Sequence, residues 1–194
     1  MQIDVGLEKI DKILHVADIH IRNFKRHKEY RQVFRKLYKD AKQLPKDSLI
    51  YVAGDIVHTK TDISPELVEL TSEFFRKLAD IRPTIVITGN HDANLNNSSR
   101  LDALSPIIDN LNHPNLHYLK DSGIYRVCNI DFIVMSVFDD PKDFPDARKA
   151  TGIKIGLHHG PVHNSVTDIG YVVNNESLKQ SVFTGCDLVM LGDI

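Results

Sequence analysis

Tryptophan is absent from this chain, and cysteine and methionine are scarce, with two and three residues. Cys128 and Cys186 lie far apart in separate apolar runs, so we expect two buried, reduced thiols rather than a disulfide framework. That favours an intracellular protein over a secreted one. No apolar run approaches the ~20 residues of a membrane-spanning helix, and no signal-peptide pattern opens the chain, so no membrane partner is expected. An excess of one charge is also lacking. The 24 Lys and Arg against 26 Asp and Glu leave a formal net charge of -2, which excludes a global basic field. A local basic patch is still allowed.

What the chain does have is length and histidine. Its 194 residues, 42% hydrophobic and 26% charged, suit one domain with a full core. Ten histidines are the compositional oddity, and several fall at the ends of apolar runs.

In order, residues 12–17 read as a strand followed by Asp18-Ile19-His20, with His15 a packing histidine inside it. Apolar residues at three- and four-residue steps (Tyr30, Val33, Phe34, Leu37, Tyr38, Ala41) predict a helix over 27–43, ended by Pro45. Arg22, Lys25, Arg26, His27, Lys28, Arg31, Arg35 and Lys36 make the region basic. They read either as a solvated helix face or as contacts to a phosphate backbone. A strand over 48–53 leads into Gly54-Asp55-Ile56-Val57-His58. A helix over 65–80 starts at Ser64-Pro65, a cap followed by a tolerated proline. A strand over 84–88 opens onto Gly89-Asn90-His91-Asp92. This alternation predicts a mostly parallel sheet covered by helices. A weaker helix over 101–111 is interrupted at Pro106. Strands over 116–119, 124–127 and 132–137 are too closely spaced for crossover helices and are expected to be antiparallel. A strand over 153–157 ends in His158-His159-Gly160, and one over 188–191 ends in Gly192-Asp193.

Five strand ends therefore carry metal-competent side chains: Asp18/His20, Asp55/His58, Asn90/His91, His158/His159 and Asp193. An Asp after a strand is usually a turn former, but five such ends converging on one rim make a site. Carboxylate, imidazole and one amide oxygen, without thiolate, suit Mn2+, Fe2+ or Zn2+. A central Asp55 is the natural bridge between two cations that clamp a phosphoryl group for hydrolysis. His91 points away from its neighbour Asn90 and is free to serve the leaving group. Asp92 reads as a turn residue or a support behind the ligands, and His159, His163 and Asp168 as loop structure, with tuning of the site as the alternative.

Asp18-x-His20, Gly54-Asp55, Gly89-Asn90-His91-Asp92, the His158 strand end and Gly192-Asp193 resemble the ordered motifs of calcineurin-like metallophosphoesterases. Gly54-Asp55-Ile56-Val57-His58 with the following Ser64-Pro65 is similar to the second motif of the SbcD-type DNA double-strand-break repair nucleases. The basic stretch after His20 looks most like viral and phage members, which would place the protein in the cytoplasm, or in the nucleus or a host cell. The resemblance implies an α/β fold, a four-layer α/β/β/α sandwich with two mixed sheets flanked by helices. It also implies two divalent ions, usually Mn2+ (Fe2+, Zn2+ or Mg2+ as alternatives). Asp18 and His20 would hold the first, Asp55 would bridge, and Asn90 and His158 would hold the second. His91 would be the catalytic histidine and His58 would orient the phosphate or leaving group. Arg22, Lys25 and Arg26 would bind substrate. DNA, an SbcC-type ATPase and a second copy of the chain are the implied partners. The last motif usually reads Gly-His-x-His. Here Asp193 replaces the first histidine and the second would fall past Ile194, so we expect a truncated catalytic domain, 1–194.

Two other readings remain open. One is a small-substrate phosphodiesterase or phosphatase with the same site. The other is a catalytically impaired scaffold docking DNA or an ATPase.

Overall fold

The computed structural model describes residues 1–97, 100–167, 169–176 and 178–193, so Asp168 and Ile194 lie outside it. Two four-stranded sheets pack face to face. The first contains β1 (Lys12–Val16), β2 (Ser48–Val52), β3 (Thr84–Val86) and β4 (Leu116–Tyr118), in that order and parallel throughout. The second contains β5 (Gly123–Val127), β6 (Ile130–Met135), β7 (Ile153–His159) and β8 (Leu188–Gly192). There β5 and β6 are antiparallel, while β6, β7 and β8 run parallel. Only the second sheet is mixed. The expected antiparallel run beginning at residue 116 is corrected at β4, which joins β3 in the first sheet through the crossover of helix α3 (Ser105–Leu111).

The first sheet alternates its apolar residues between two layers. Leu49, Tyr51, Ala53, Ile85 and Ile87 face the second sheet, where they meet Phe132, Val134, Ile155 and Leu157. Ile50, Val52 and Val86 face the helices α1 (His27–Lys42) and α2 (Pro65–Ile81). On α2, Leu67, Leu70, Phe74, Phe75 and Leu78 are all buried, each contributing roughly 1.5–3 kcal/mol of transfer free energy. Ser64 caps this helix, accepting from the Leu67 amide at 3.3 Å. On α1 the stripe is narrower than expected: Phe34 and Ala41 are buried, but Val33 is 62% exposed. Pro106 lies in the first turn of α3 and starts that helix rather than interrupting it.

The outer face of the second sheet is covered thinly. Short 3-10 turns at Pro141–Asp143, Ala147–Lys149 and Gln180–Phe183 lie along it, and Phe144, Ala147, Val182, Phe183 and Cys186 pack on Ile133 and Met135. Both cysteines are free and half-buried. His15 is exposed and not a core residue, though its ring stacks on Tyr51 with centroids 5.1 Å apart. No helix among the described residues is long and apolar enough to cross a membrane.

Candidate metal centre

The C-terminal ends of β1, β2 and β3 lie side by side, because the strands are parallel and adjacent. The chain leaves β1, β2 and β8 through tight, strained turns. Asp18, His20, Asp55 and Asp193 all hold left-handed backbone, with φ of 56°, 48°, 53° and 62°. Non-glycine residues adopt it at a cost of about 1–3 kcal/mol, and such strain concentrates at functional sites. The loops after β2 and β3 touch so closely that only glycine fits between them. A Cβ on Gly89 would lie 2.1 Å from Asp55 Oδ1, and one on Gly54 would lie 2.5 Å from the Gly89 amide nitrogen.

Asp92 ties these two loops together. Its Oδ1 accepts from the amides of Ile56 (2.9 Å) and Val57 (3.0 Å), and its Oδ2 accepts from the Gly89 amide (3.0 Å). Burial pushes its carboxyl up to about 7, against the amide bonds that hold it down. It is a positioning residue buried beneath the site.

Two groups of ligand-type atoms result. Asp18, Asp55 and His159 present one atom each within 4.8 Å of one another, and so do His20, His58 and His91. Asp55 joins them: His20 Nε2 lies 3.5 Å from Asp55 Oδ2, and His159 Nε2 lies 3.3 Å from Asp55 Oδ1. Burial would raise the Asp55 carboxyl, but His159 and the His91 amide outweigh it and hold it low. The Asp193 amide donates to both carboxylate oxygens of Asp18, at 3.2 and 3.1 Å. Burial raises the Asp193 carboxyl, and the nearby Asp55 and Asp18 carboxylates add to the rise against His159.

This donor set fits divalent cations. His159 Nδ1 donates to the Ala53 carbonyl at 2.6 Å, so its Nε2 carries a lone pair. That lone pair faces Asn90 Oδ1 at 3.0 Å and Asp55 Oδ1 at 3.3 Å. In the neutral ring three acceptors converge there; an imidazolium, which the Asp55 carboxylate favours, would place a proton among them, and a divalent cation suits the same place. Rotating the Asn90 amide would let it donate to His159 and Asp55; a cation among the three satisfies all of them without the rotation. His20 Nδ1 and His58 Nδ1 are buried with no hydrogen-bond partner among the described residues, and three carboxylates share the rim.

The sequence-predicted residues divide as follows. Asp18, His20, Asp55, Asn90 and Asp193 are brought together, and His58 and His91 stand beside them with stacked rings 5.7 Å apart. His158 lines the same pocket as Asn90, His159 and Asp193 but stands outside the two close groups of ligand atoms. Its Nδ1 donates to the Met135 carbonyl at 2.6 Å, and its ring packs between Phe144 and Phe183. The neighbouring His159, read from sequence as loop structure rather than a group tuning the site, joins Asp18 and Asp55 at the rim. The cause is strand parity: β7 runs on through His159, so His159 shares a face with core residues Ile155 and Leu157. The sequence reading ends this strand at residue 157, and its extension through His159 is what the structure adds. His163 lies near Glu176, with Nε2 3.8 Å from a carboxylate oxygen.

Arg22, Lys25 and Arg26 are exposed on the loop after His20. Burial lowers the His58 imidazole, and the Arg22 charge lowers it further, which places Arg22 beside the histidine group.

A family model for calcineurin-like phosphoesterases matches residues 11–194. The chain belongs to the calcineurin-like phosphoesterase family. As a member, it is a hydrolase: a metal-dependent phosphoesterase of a family that uses divalent ions, with candidate ligands on this rim. It is 50% identical, over 98% of its length, to an uncharacterized protein of Acanthamoeba polyphaga mimivirus, and spans 15% of that protein's length.

Proposed function

We propose that this phosphoesterase is a DNA nuclease, cleaving phosphodiester bonds as an exonuclease or endonuclease in DNA repair or recombination, with Mn2+ as the preferred ion. One observation carries the reading: the metal-competent rim opens onto a cationic surface that a small substrate would not need. Arg22, Lys25 and Arg26 stand on the loop beside it. Lys28, Arg35, Lys39 and Lys42 then recur at helical spacing along one flank of α1, while Glu29, Val33 and Asp40 take the other flank. A groove lined by Arg35, Tyr38, Lys39, Lys42 and Lys77 continues this surface, with Asp80 as its acidic member. Arg31 is spent differently, pairing with Glu69 and Glu73 to staple α1 to α2. A row of cations of this kind suits a polymer of phosphates.

Asp18, His20, Asp55, Asn90, His159 and Asp193 would hold two divalent cations, with Asp55 between them. When bound, those cations polarise the phosphoryl group and stabilise its developing charge. His91 holds the proton for the leaving oxygen. Its Nδ1 donates to the His58 carbonyl at 2.7 Å, which fixes the ring and leaves Nε2 as the working atom. Tyr30 Oη donates to the His20 carbonyl at 2.6 Å and steadies that loop from α1. A second copy of the chain and an SbcC-type ATPase belong to the same reading, as does an intracellular setting, which the viral relative supports.

The test is Mn2+-dependent cleavage of single- and double-stranded DNA beside a chromogenic phosphodiester. The nuclease reading expects DNA cleavage that falls steeply with salt. Hydrolysis of the small ester with DNA left intact would sink it in favour of a small-substrate phosphodiesterase.

A further inference from the structure

The loop between β1 and α1 carries an aromatic residue that packing does not account for. Phe24 is 71% exposed. Single exposed apolar residues are common and need no explanation, but this one is held out. Its backbone is left-handed, with φ 53°, as is that of Arg26 at 58°, a conformation bulky residues adopt only when their surroundings enforce it. Two contacts pin the loop. Asn23 Nδ2 donates to Asp62 Oδ1 at 2.7 Å, and His27 Nε2 donates to the Arg22 carbonyl at 2.8 Å.

The ring's setting is specific. Arg22, Lys25 and Arg26 flank it in sequence and are all exposed. His20 lies four residues before it, so the two Cα atoms are at most about 14 Å apart. An aromatic face among cations, within that distance of the hydrolytic centre, has the composition of a single-strand nucleic-acid platform. Cations take the backbone and the ring takes a base. Away from its ends a duplex buries its base faces in the stack, so there only an unpaired base can meet the ring.

We propose that Phe24 is a base-stacking platform. It receives the face of an unpaired base whose flanking phosphates are held by Arg22, Lys25 and Arg26, and so favours single-stranded or frayed DNA at the cleavage site. This rests on the nuclease reading and specifies its substrate.

The chain contains no tryptophan, so Phe24→Trp introduces a single fluorescent reporter at the platform. With divalent ions chelated, a single-stranded oligonucleotide should quench the introduced indole. A covalently closed circular duplex, or an oligonucleotide of abasic residues, should quench it far less. Phe24→Ala should weaken binding and cleavage of the single strand about tenfold, a typical effect of removing one stacking partner. Phe24→Leu, which keeps apolar bulk without an aromatic face, should behave like Phe24→Ala. Melting curves would check that each variant folds. An indole that stays unquenched, or a Phe24→Ala protein that binds and cuts single strands like the wild type, overturns the platform while leaving the nuclease reading intact. A wild type that hydrolyses a chromogenic phosphodiester yet neither binds nor cuts DNA removes both.

Discussion

The two sheets contribute unequally to the centre. The first is parallel throughout, and three adjacent strands deliver Asp18, His20, Asp55, His58, Asn90 and His91 from consecutive strand ends. The second is mixed and, among the described residues, brings His159 and Asp193 to it from its two final strands. Their coverings differ as well. Amphipathic helices α1 and α2 cover the first sheet, whereas 3-10 turns and loops cover the second. A regular strand–helix alternation brings every strand end to the same rim, so the order of residues indicates the order of ligands. A sheet with one reversed pair and short connections leaves each contribution to parity and register. The lesson is that the centre is mainly a product of the first sheet, closed from the other side by two residues.

The largest effect expected from breaking this division is at His91. Replacing it with alanine should lower turnover about 10²–10⁴-fold, the span of general acid–base contributions, with Mn2+ binding retained by calorimetry. Full activity in this variant would take His91 out of the mechanism. The second sheet's contribution is sharpened by comparing its paired histidines. His159→Gln should weaken Mn2+ binding by about tenfold or more, whereas His158→Gln should leave ion binding near wild type and lower the melting temperature. The opposite pattern would restore His158 as the ligand.

A smaller effect concerns how the second sheet is held together. Asp131 on β6 is buried and pairs with Arg126, and its Oδ2 accepts from the amides of Thr151 (3.0 Å) and Gly152 (2.8 Å). Burial would raise its carboxyl, but the Arg126 guanidinium and these amides hold it below the usual range. Such a depressed group contributes stability that is full above the unfolded value of about 3.9 and is lost as pH falls through the folded value. Asp131→Asn should therefore cost roughly 1–2 kcal/mol at pH 7, and the gap from wild type should close in acid. Denaturant titrations at both pH values would read this, and a gap that persists in acid would assign the loss to packing. The smallest effect belongs to the first sheet's covering. Ser64→Ala removes the α2 cap and should cost about 1 kcal/mol without changing ion affinity; a change in affinity would couple that helix to the centre.

Much of this was legible in the sequence, for identifiable reasons. Periodicity located α2 to within a residue, because Leu67, Leu70, Phe74, Phe75 and Leu78, all buried, follow the helical repeat. The strands before Asp18, Asp55 and Asn90 were legible as short apolar runs ended by polar turns. The thin cover of the second sheet was not, since 3-10 turns lack a repeat long enough to detect. Phe24 was not singled out either, because one aromatic in a basic stretch carries no pattern.

The sequence by itself determined which residue types could gather: carboxylates, imidazoles and one amide placed after strands, with no thiolate to redirect the chemistry. Only the tertiary structure decided which of them face one another. Strand parity turned His159 inward and His158 outward, and the Gly54–Gly89 approach set Asp55 against the next loop. The joining of β4 to the first sheet also came from pairing alone. These outcomes depend on backbone register and on contacts between residues far apart in the chain, which no local pattern encodes.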